Sequence, residues 1–210
     1  MDISPLFGLR LRTARLELRL PTHEELVELR ELAHAGVHPP EEMPFAIAWT
    51  DEPYSEEWVV AFHEEQREAW RPAAWDLELG VWVGDELAGI QALYGKDFAR
   101  SRTVGTGSWL GTRFQRRGIG TEMRAAVLEL AFRGLGAEVA QSGAVEGNEA
   151  SLRVSEKLGY RVVGTGEVSP RGVAVEHTDV ELRREEWRPP VTVQIEGLRT
   201  CLPLFGVSPR

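Results

Sequence analysis

The sequence predicts a mixed α/β domain built on one sheet. Apolar residues alternate at period two in separate short runs, while other segments carry apolar residues at helical spacing between capping signals. The two kinds interleave in the order strand, two helices, three strands, helix, strand, helix, two strands. With 210 residues, 42% apolar and 27% charged, the chain can bury one sizeable core.

Leu16, Leu18 and Leu20 alternate with Arg15, Glu17 and Arg19, which makes the first strand. Thr22 opens the first helix: its hydroxyl can accept from the backbone of Glu25 while Glu25 reaches back, and Leu26, Leu29 and Leu32 form a stripe ending near Gly36. From Val37 to Tyr54, Pro39, Pro40, Pro44 and Pro53 exclude a regular ladder or helix. Met43, Phe45, Ile47 and Trp49 are too apolar for a free linker, so this loop is expected to be a lid or wall.

Ser55 caps the second helix, with Glu56 and Glu57 in its first turn, Trp58, Val59, Phe62 and Ala69 on its buried side, and Pro72 closing it. Trp75, Leu77, Leu79, Val81 and Val83 alternate into the turn Gly84-Asp85-Glu86, and Leu87 to Tyr94 returns as the partner strand of a hairpin. A strand from Thr103 to Thr112 leads to a helix from Gly118 to Arg133. That helix is expected to place Met123, Val127, Leu130 and Ala131 on one face and to stop at Gly134 and Gly136. Val139 to Val145 is the next strand, Asn148 caps a helix through Leu158 with Gly159 beyond, and Tyr160 to Val163 and Val173 to Leu182 complete the sheet.

Residues 1–188 thus read as a single domain and 189–210 as a tail with a candidate strand at Val191 to Ile195. The tail's Pro203-Leu204-Phe205-Gly206 echoes Pro5-Leu6-Phe7-Gly8, although four residues are no structural repeat. Both apolar ends are expected to dock on the body or on a neighbouring subunit, so a homo-oligomer, a dimer first, is the expected assembly.

A formal charge of −9 repels phosphate backbones, which excludes general nucleic-acid binding as an expectation. No run approaches the roughly 18 apolar residues of a membrane helix, and Met1-Asp2-Ile3-Ser4-Pro5 lacks the basic and apolar parts of a secretory signal. The single Cys201 cannot close an internal disulfide, so a cytoplasmic protein is expected. His34 and His38 have helical ligand spacing, but Gly36 and Pro39 break that helix and no third ligand follows; no metal is expected.

The informative stretch is Trp109 to Thr121, where a strand passes through a basic, Gly-bearing turn into a helix. Unpaired N–H groups at that helix start, Gly118 and Gly120, the Thr121 hydroxyl and the charges of Arg116 and Arg117 suit an anion. Met123 stands where a dinucleotide fingerprint needs its third Gly, and no Gly-Lys-Thr of a nucleotide P-loop is present. An ordinary Gly-containing helix start is the plain alternative.

Gln115-Arg116-Arg117-Gly118-Ile119-Gly120 resembles the diphosphate loop of the GNAT acyltransferases, which bind coenzyme A there. Asn148 to Tyr160 is similar to the Asn-x-x-Ser and Lys-Leu-Gly-Tyr segment of the RimJ/RimL-type branch. The likeness spans roughly Arg12 to Arg184. Segments including Met43-Pro44-Phe45, Gly107-Ser108-Trp109-Leu110-Gly111 and Gly120-Thr121-Glu122-Met123-Arg124 further resemble a bacterial GNAT succinyltransferase.

The resemblance implies a twisted mixed sheet whose splayed central strands admit the pantetheine arm, flanked by helices. It implies an N-acyltransferase using acetyl-CoA or succinyl-CoA and a primary amine: a small molecule, a protein N-terminus or a lysine. On this likeness Trp109, Leu110 and Gly111 bond the pantetheine amides, and Gln115, Arg116, Arg117, Gly118, Ile119, Gly120 and Thr121 hold the diphosphate. Asn148 lies near the thioester, and Ser151 is the general acid for the departing thiolate. Asn148 also suits simple helix capping. Ser155 stands where other branches place a Tyr acid, and Thr112 stands about where the RimL-type Glu base falls. Asp97, Glu146, His177 and Asp179 could line the cleft, but no base is assigned. The alternative from a different class is a module that binds acyl-CoA without turnover.

Overall fold

A computed structural model describes residues 1–51 and 55–208, and only the backbone at positions 56 and 58. The expectations for Pro53, Tyr54 and the side chains of Glu56 and Trp58 lie outside the described residues. The strands are β1 (Arg10–Arg12), β2 (Leu16–Arg19), β3 (Ala74–Val83), β4 (Glu86–Lys96), β5 (Thr103–Leu110), β6 (Val139–Val145), β7 (Arg161–Val168), β8 (Val175–Arg183) and β9 (Gln194–Glu196). The helices are α1 (His23–His34), α2 (Glu56–Ala69), α3 (Phe98–Ser101), α4 (Ile119–Glu129), α5 (Glu149–Lys157) and α6 (Leu198–Cys201). Among the described residues these strands form one mixed sheet in the order β7-β8-β6-β5-β4-β3-β2-β1-β9.

Period-two alternation divides the sheet's faces. Trp75, Leu77, Leu79 and Val81 of β3 join the main core with Met123, Ala126 and Val127 of α4. A second cluster joins Leu26 and Leu29 of α1 and Val59 and Val60 of α2 to Trp82, Leu87 and Ile90. Each large apolar side chain so buried contributes roughly 1.5–3 kcal/mol. The predicted cap of α1 is present: Thr22 Oγ1 accepts from Glu25 N–H, and Thr22 N–H donates to Glu25 Oε2 at 2.8 Å.

Several expectations need correction. Helix α4 is buried on every side from Glu122 to Glu129, because the sheet covers one flank while Arg15 and Trp187 close over its acidic positions. Gly134 lies inside a wide π-type turn, Leu130–Leu135, and Gly136 at φ +74° ends it. Ala69 is exposed at the end of α2, where Trp70 takes the buried position instead. β5 stops at Leu110, β7 extends to Val168, and the tail's strand is Gln194–Glu196, shifted from Val191–Ile195.

The chain's two ends are built into one body. β9 pairs antiparallel with β1, Trp70 Nε1–H donates to Leu204 O at 2.9 Å, and Phe205 is fully buried against Trp70 and Trp75. Leu6 is fully buried as well. The apolar ends therefore dock on the body, with Phe7 left exposed.

Candidate active site

The one parallel pairing among the described residues, β5 with β6, has three rungs: Thr103 with Val139, Val104 with Ala140 and Gly105 with Gln141. Beyond them the ladder stops while β5 stays paired with β4 as far as Leu110. Side chains bridge the start of the gap, with Ser142 Oγ–H donating to Thr106 O at 3.2 Å. The break is a wedge that opens toward the end of β5.

Alternation decides which backbone groups face it. Gly111 N–H donates to Ala88 O at 3.0 Å, so the β5 groups directed at β4 are those of odd-numbered residues. The N–H groups of Ser108 and Leu110 consequently turn toward the wedge. This corrects the expectation for Trp109 and Gly111. The backbone of Trp109 is directed into the β4 ladder, and Gly111 O accepts from Phe114 N–H, so of the expected trio only Leu110 offers its backbone. Ser108 joins it, a residue missed in the sequence because strand phase relative to a neighbour is not written in one strand.

The turn after β5 leads to α4, whose N-cap Gly118 adopts φ +79° and provides no side-chain cap. Glu122 N–H is the first to bond back, to Gly118 O. The N–H groups of Ile119, Gly120 and Thr121 therefore have no intrahelical acceptor. Arg116, at φ +57°, and Arg117 are exposed beside them. Gln115 has a different place: its Nε2 donates to Val37 O at 2.6 Å and to Leu110 O at 2.8 Å, and its N–H donates to Thr112 O. Its donors are committed to shaping the turn. The buried Ile119 side chain belongs to the core.

Asn148 caps α5, its Oδ1 accepting from Ser151 N–H at 3.1 Å and its Nδ2–H donating to Pro44 O at 2.9 Å. It thus ties α5 to the loop of residues 37–51. Arg171 holds the same loop from the β7–β8 hairpin through two bonds to Asp51, at 2.7 and 2.6 Å. Ser151 is half-buried on the first turn of α5, where Arg124 Nη2 lies 3.5 Å from its Oγ.

A cleft of about 890 Å³ lies on the α1–α2 face of the sheet. Its floor follows the strand register: Asp76, Tyr94 and Gly105 form one row, Glu78, Ala92 and Gly107 the next, then Gly80, Ile90 and Trp109. Walls come from the loop expected to be a lid or wall, where Phe45 lies against Trp49 (5.0 Å) and Trp49 against Trp109 (5.4 Å). A Cβ on Gly107 would meet nothing within 4 Å, whereas one on Gly105 would lie 2.1 Å from the Tyr94 ring. Tyr94 therefore leans over Gly105 toward the wedge, and the floor is open at Gly107.

The carboxylates on this floor, Asp76 and Glu78, were missed in the sequence, where they are only polar positions between the apolar residues of β3. Asp76 Oδ1 is buried without a hydrogen-bond partner, and burial first, then the charge of Glu78, pushes its carboxyl up to about 7. Glu78 Oε2 lies 2.9 Å from His63 Nδ1, an ion-pair distance outside hydrogen-bond alignment. The four base candidates from the sequence are elsewhere. Asp97 pairs with Arg100, His177 with Asp179 on β8, Glu146 is exposed beyond β6, and none lines the cleft. Among the described residues, no three His, Cys, Asp or Glu side chains are placed to hold a metal ion, and no helix is long and apolar enough to cross a membrane.

Residues 15–161 match the sequence profile of the acetyltransferase (GNAT) domain. Solved structures with the same fold include an acetyltransferase of the GNAT family from Bacillus anthracis, 17% identical, with a TM-score of 0.69 over 84% of this chain and 99% of that one. RimL, a ribosomal L7/L12 alpha-N-protein acetyltransferase solved with coenzyme A, is 14% identical with a TM-score of 0.64, covering 81% of this chain and 95% of that one. The microcin C7 self-immunity acetyltransferase MccE, solved with acetyl-CoA and AMP, is 17% identical with a TM-score of 0.66 over 81% and 93%. At these identities the structural likeness is one of fold.

Proposed function

Because the chain belongs to the GNAT acetyltransferase family, we propose that it is an N-acyltransferase working by direct attack of a primary amine on acyl-CoA in a ternary complex. The acyl group is acetyl or succinyl, and the amine that of a small molecule, a protein N-terminus or a lysine. The carrying observation is the β5–β6 wedge, which has an uncapped basic turn at the end of β5 and borders a cleft floored by carboxylates.

Bound acyl-CoA supplies an electrophilic thioester carbon. Arg116, Arg117 and the free N–H groups of Ile119, Gly120 and Thr121 fit its diphosphate in charge and donor supply. The N–H groups of Ser108 and Leu110 bond the pantetheine arm and stabilise the charge that develops on the carbonyl oxygen. Asn148 and Ser151, at the start of α5 just after β6, are assigned to the thioester end, Ser151 to its sulfur.

On the acceptor side, Asp76 and Glu78 attract an ammonium group, and Asp76, titrating near 7, suits acceptance of its proton. Glu78 and Gly107 are two strands apart, roughly 10 Å, so the proton leaves through water in the cleft rather than by direct contact. A cytoplasmic setting suits this reading, and the free, buried thiol of Cys201 supports it.

Calorimetric titration with succinyl-CoA and, separately, acetyl-CoA tests the coenzyme half of this reading, and release of CoA thiol with a panel of amines tests turnover. Binding of neither donor below about millimolar refutes the reading. Equal affinities mean an unselective acyl pocket. A tenfold preference for succinyl-CoA, about 1.4 kcal/mol, identifies it as the donor.

A further inference from the structure

Arg124 is the least exposed charged side chain among the described residues, at 4%. From α4 its Nη1–H donates to Ser155 Oγ at 2.9 Å, its Nη2 reaches Ser151 Oγ at 3.5 Å, and its Nε–H is buried without a partner. The titratable groups that face it are Tyr94 of β4 and Tyr160 beyond the end of α5, both neutral phenols. A buried cation without a counter-ion is costly. The same helix shows the usual arrangement, since Glu122 pairs with Arg15 and Glu129 with Arg133. A guanidinium kept without a carboxylate signals a demand for positive charge at that point.

The two serines differ in what is left to them. Ser155 Oγ–H donates to Ser151 O at 3.1 Å, so Ser155 is spent on both sides. The Ser151 hydroxyl oxygen faces the guanidinium, and its proton has no acceptor among the described residues. A hydroxyl whose oxygen faces a cation turns its proton outward and donates it more strongly.

We infer that Arg124 is a positioning residue that holds Ser151 as a hydrogen-bond donor to the coenzyme's sulfur, stabilising the thiolate as it leaves. The inference rests on the coenzyme reading given above. As the amine nitrogen bonds to the acyl carbon, the carbon–sulfur bond breaks and its electron pair goes to sulfur. The Ser151 O–H donates to that sulfur without giving up its proton. The proton lost by nitrogen passes to the acceptor-side carboxylates through water, and the thiolate later takes a proton from solvent.

The test needs no amine acceptor: free CoA is bound to the full-length protein and its thiol titrated by thiolate absorbance in the ultraviolet. A thiol titrating at least one pH unit below that of free CoA measured in the same buffer is expected in the wild type. Arg124→Met and Ser151→Ala should each return it to within a few tenths of the free value, and Arg124→Lys should retain most of the lowering. At pH 7, where the thiol is protonated both free and bound, CoA affinity should stay within about threefold for all the variants, a split that a merely structural role would not produce. Ser151→Ala leaves the Arg124–Ser155 bond intact, so it carries the test if Arg124→Met fails to fold. CoA bound with a free-like thiol in the wild type, or a lowered thiol that survives Ser151→Ala, overturns the inference alone. No binding of CoA overturns the coenzyme reading and this inference with it.

Discussion

Replacing Asp76 by Asn tests whether the cleft floor holds a carboxylate against its own ionisation. Burial and the neighbouring Glu78 raise this carboxyl from an ordinary 3.8 to about 7. That is about three pH units at 1.36 kcal/mol each, or about 4 kcal/mol. The sign follows from proton binding. Below pH 4 both folded and unfolded chains are protonated at this site, and it contributes nothing. Between pH 4 and 7 the unfolded chain releases a proton that the folded chain keeps, so stability falls as pH rises, and above 7 the whole penalty is present. An Asn has no such dependence.

At pH 8 Asp76→Asn should therefore be more stable than the wild type, by up to about 4 kcal/mol less the cost of burying an amide. The difference should shrink steadily to pH 4. For a chain of this length each kcal/mol moves Tm by roughly 2–4 °C. Carboxylates held low by arginines, such as Glu17 and Glu25, have the opposite pH dependence, but they are common to both proteins and cancel in the comparison. Thermal unfolding of both proteins at each pH from 4 to 8 provides the measurement. A stability difference that does not change with pH, or a variant less stable at pH 8, would refute the buried-carboxylate argument. Amine acylation should move the other way, with wild-type kcat/KM rising through about pH 7 and the variant losing that rise.

Three further outcomes follow from the same geometry. Arg116→Ala combined with Arg117→Ala should weaken CoA binding about tenfold and flatten its salt dependence, as read by calorimetry at two ionic strengths; unchanged affinity would remove these residues from the diphosphate site. Phe205→Ala should cost about 3–5 kcal/mol in urea unfolding, since its ring is fully buried between Trp70 and Trp75; a loss under about 1 kcal/mol would mean that the tail is not part of the core. Arg171→Ala should raise the KM for the amine severalfold without shifting the unfolding midpoint, because the Arg171–Asp51 pair is exposed and holds only the cleft wall. An unaltered KM would show that the wall keeps its place without this pair.

Local signals carried much of the fold. The capping residues Thr22 and Asn148, the alternation of Trp75 to Val83 and the stop at Gly159 act over a few residues, and the structure places elements where they point. What could not be read needs a partner distant in the chain. β1 and β9 are three residues each; β1 is held between β2 and β9, and β9 pairs only with β1 among the described strands. The all-round burial of α4 depends on Trp187 and Arg15, which its own periodicity cannot reveal. The site divided in the same way. The basic turn was legible because glycine and charge are local, whereas the roles of Trp109, Leu110 and Gly111 depended on strand phase relative to β4. Asp76 and Glu78 could not be singled out because the sequence does not say that α2 and the 37–51 loop cover their strand face as a cleft.

These placements give the two ends of the proposed reaction opposite charge in a chain whose net charge is −9. Arg116, Arg117 and the start of α4 gather positive charge at the end of β5, and Arg124 adds an uncompensated charge beneath α5. Asp76 and Glu78 gather negative charge on the opposite face of β3, β4 and β5, with Ala92 and Gly107 leaving a trough between Glu78 and the wedge. An anionic donor and a cationic acceptor would each be attracted to its own side of the sheet and repelled from the other. The break between β5 and β6 is where the two sides communicate. A sheet with a complete β5–β6 ladder would keep the same charges but close the route between them, so the early end of three rungs is the feature on which the arrangement depends.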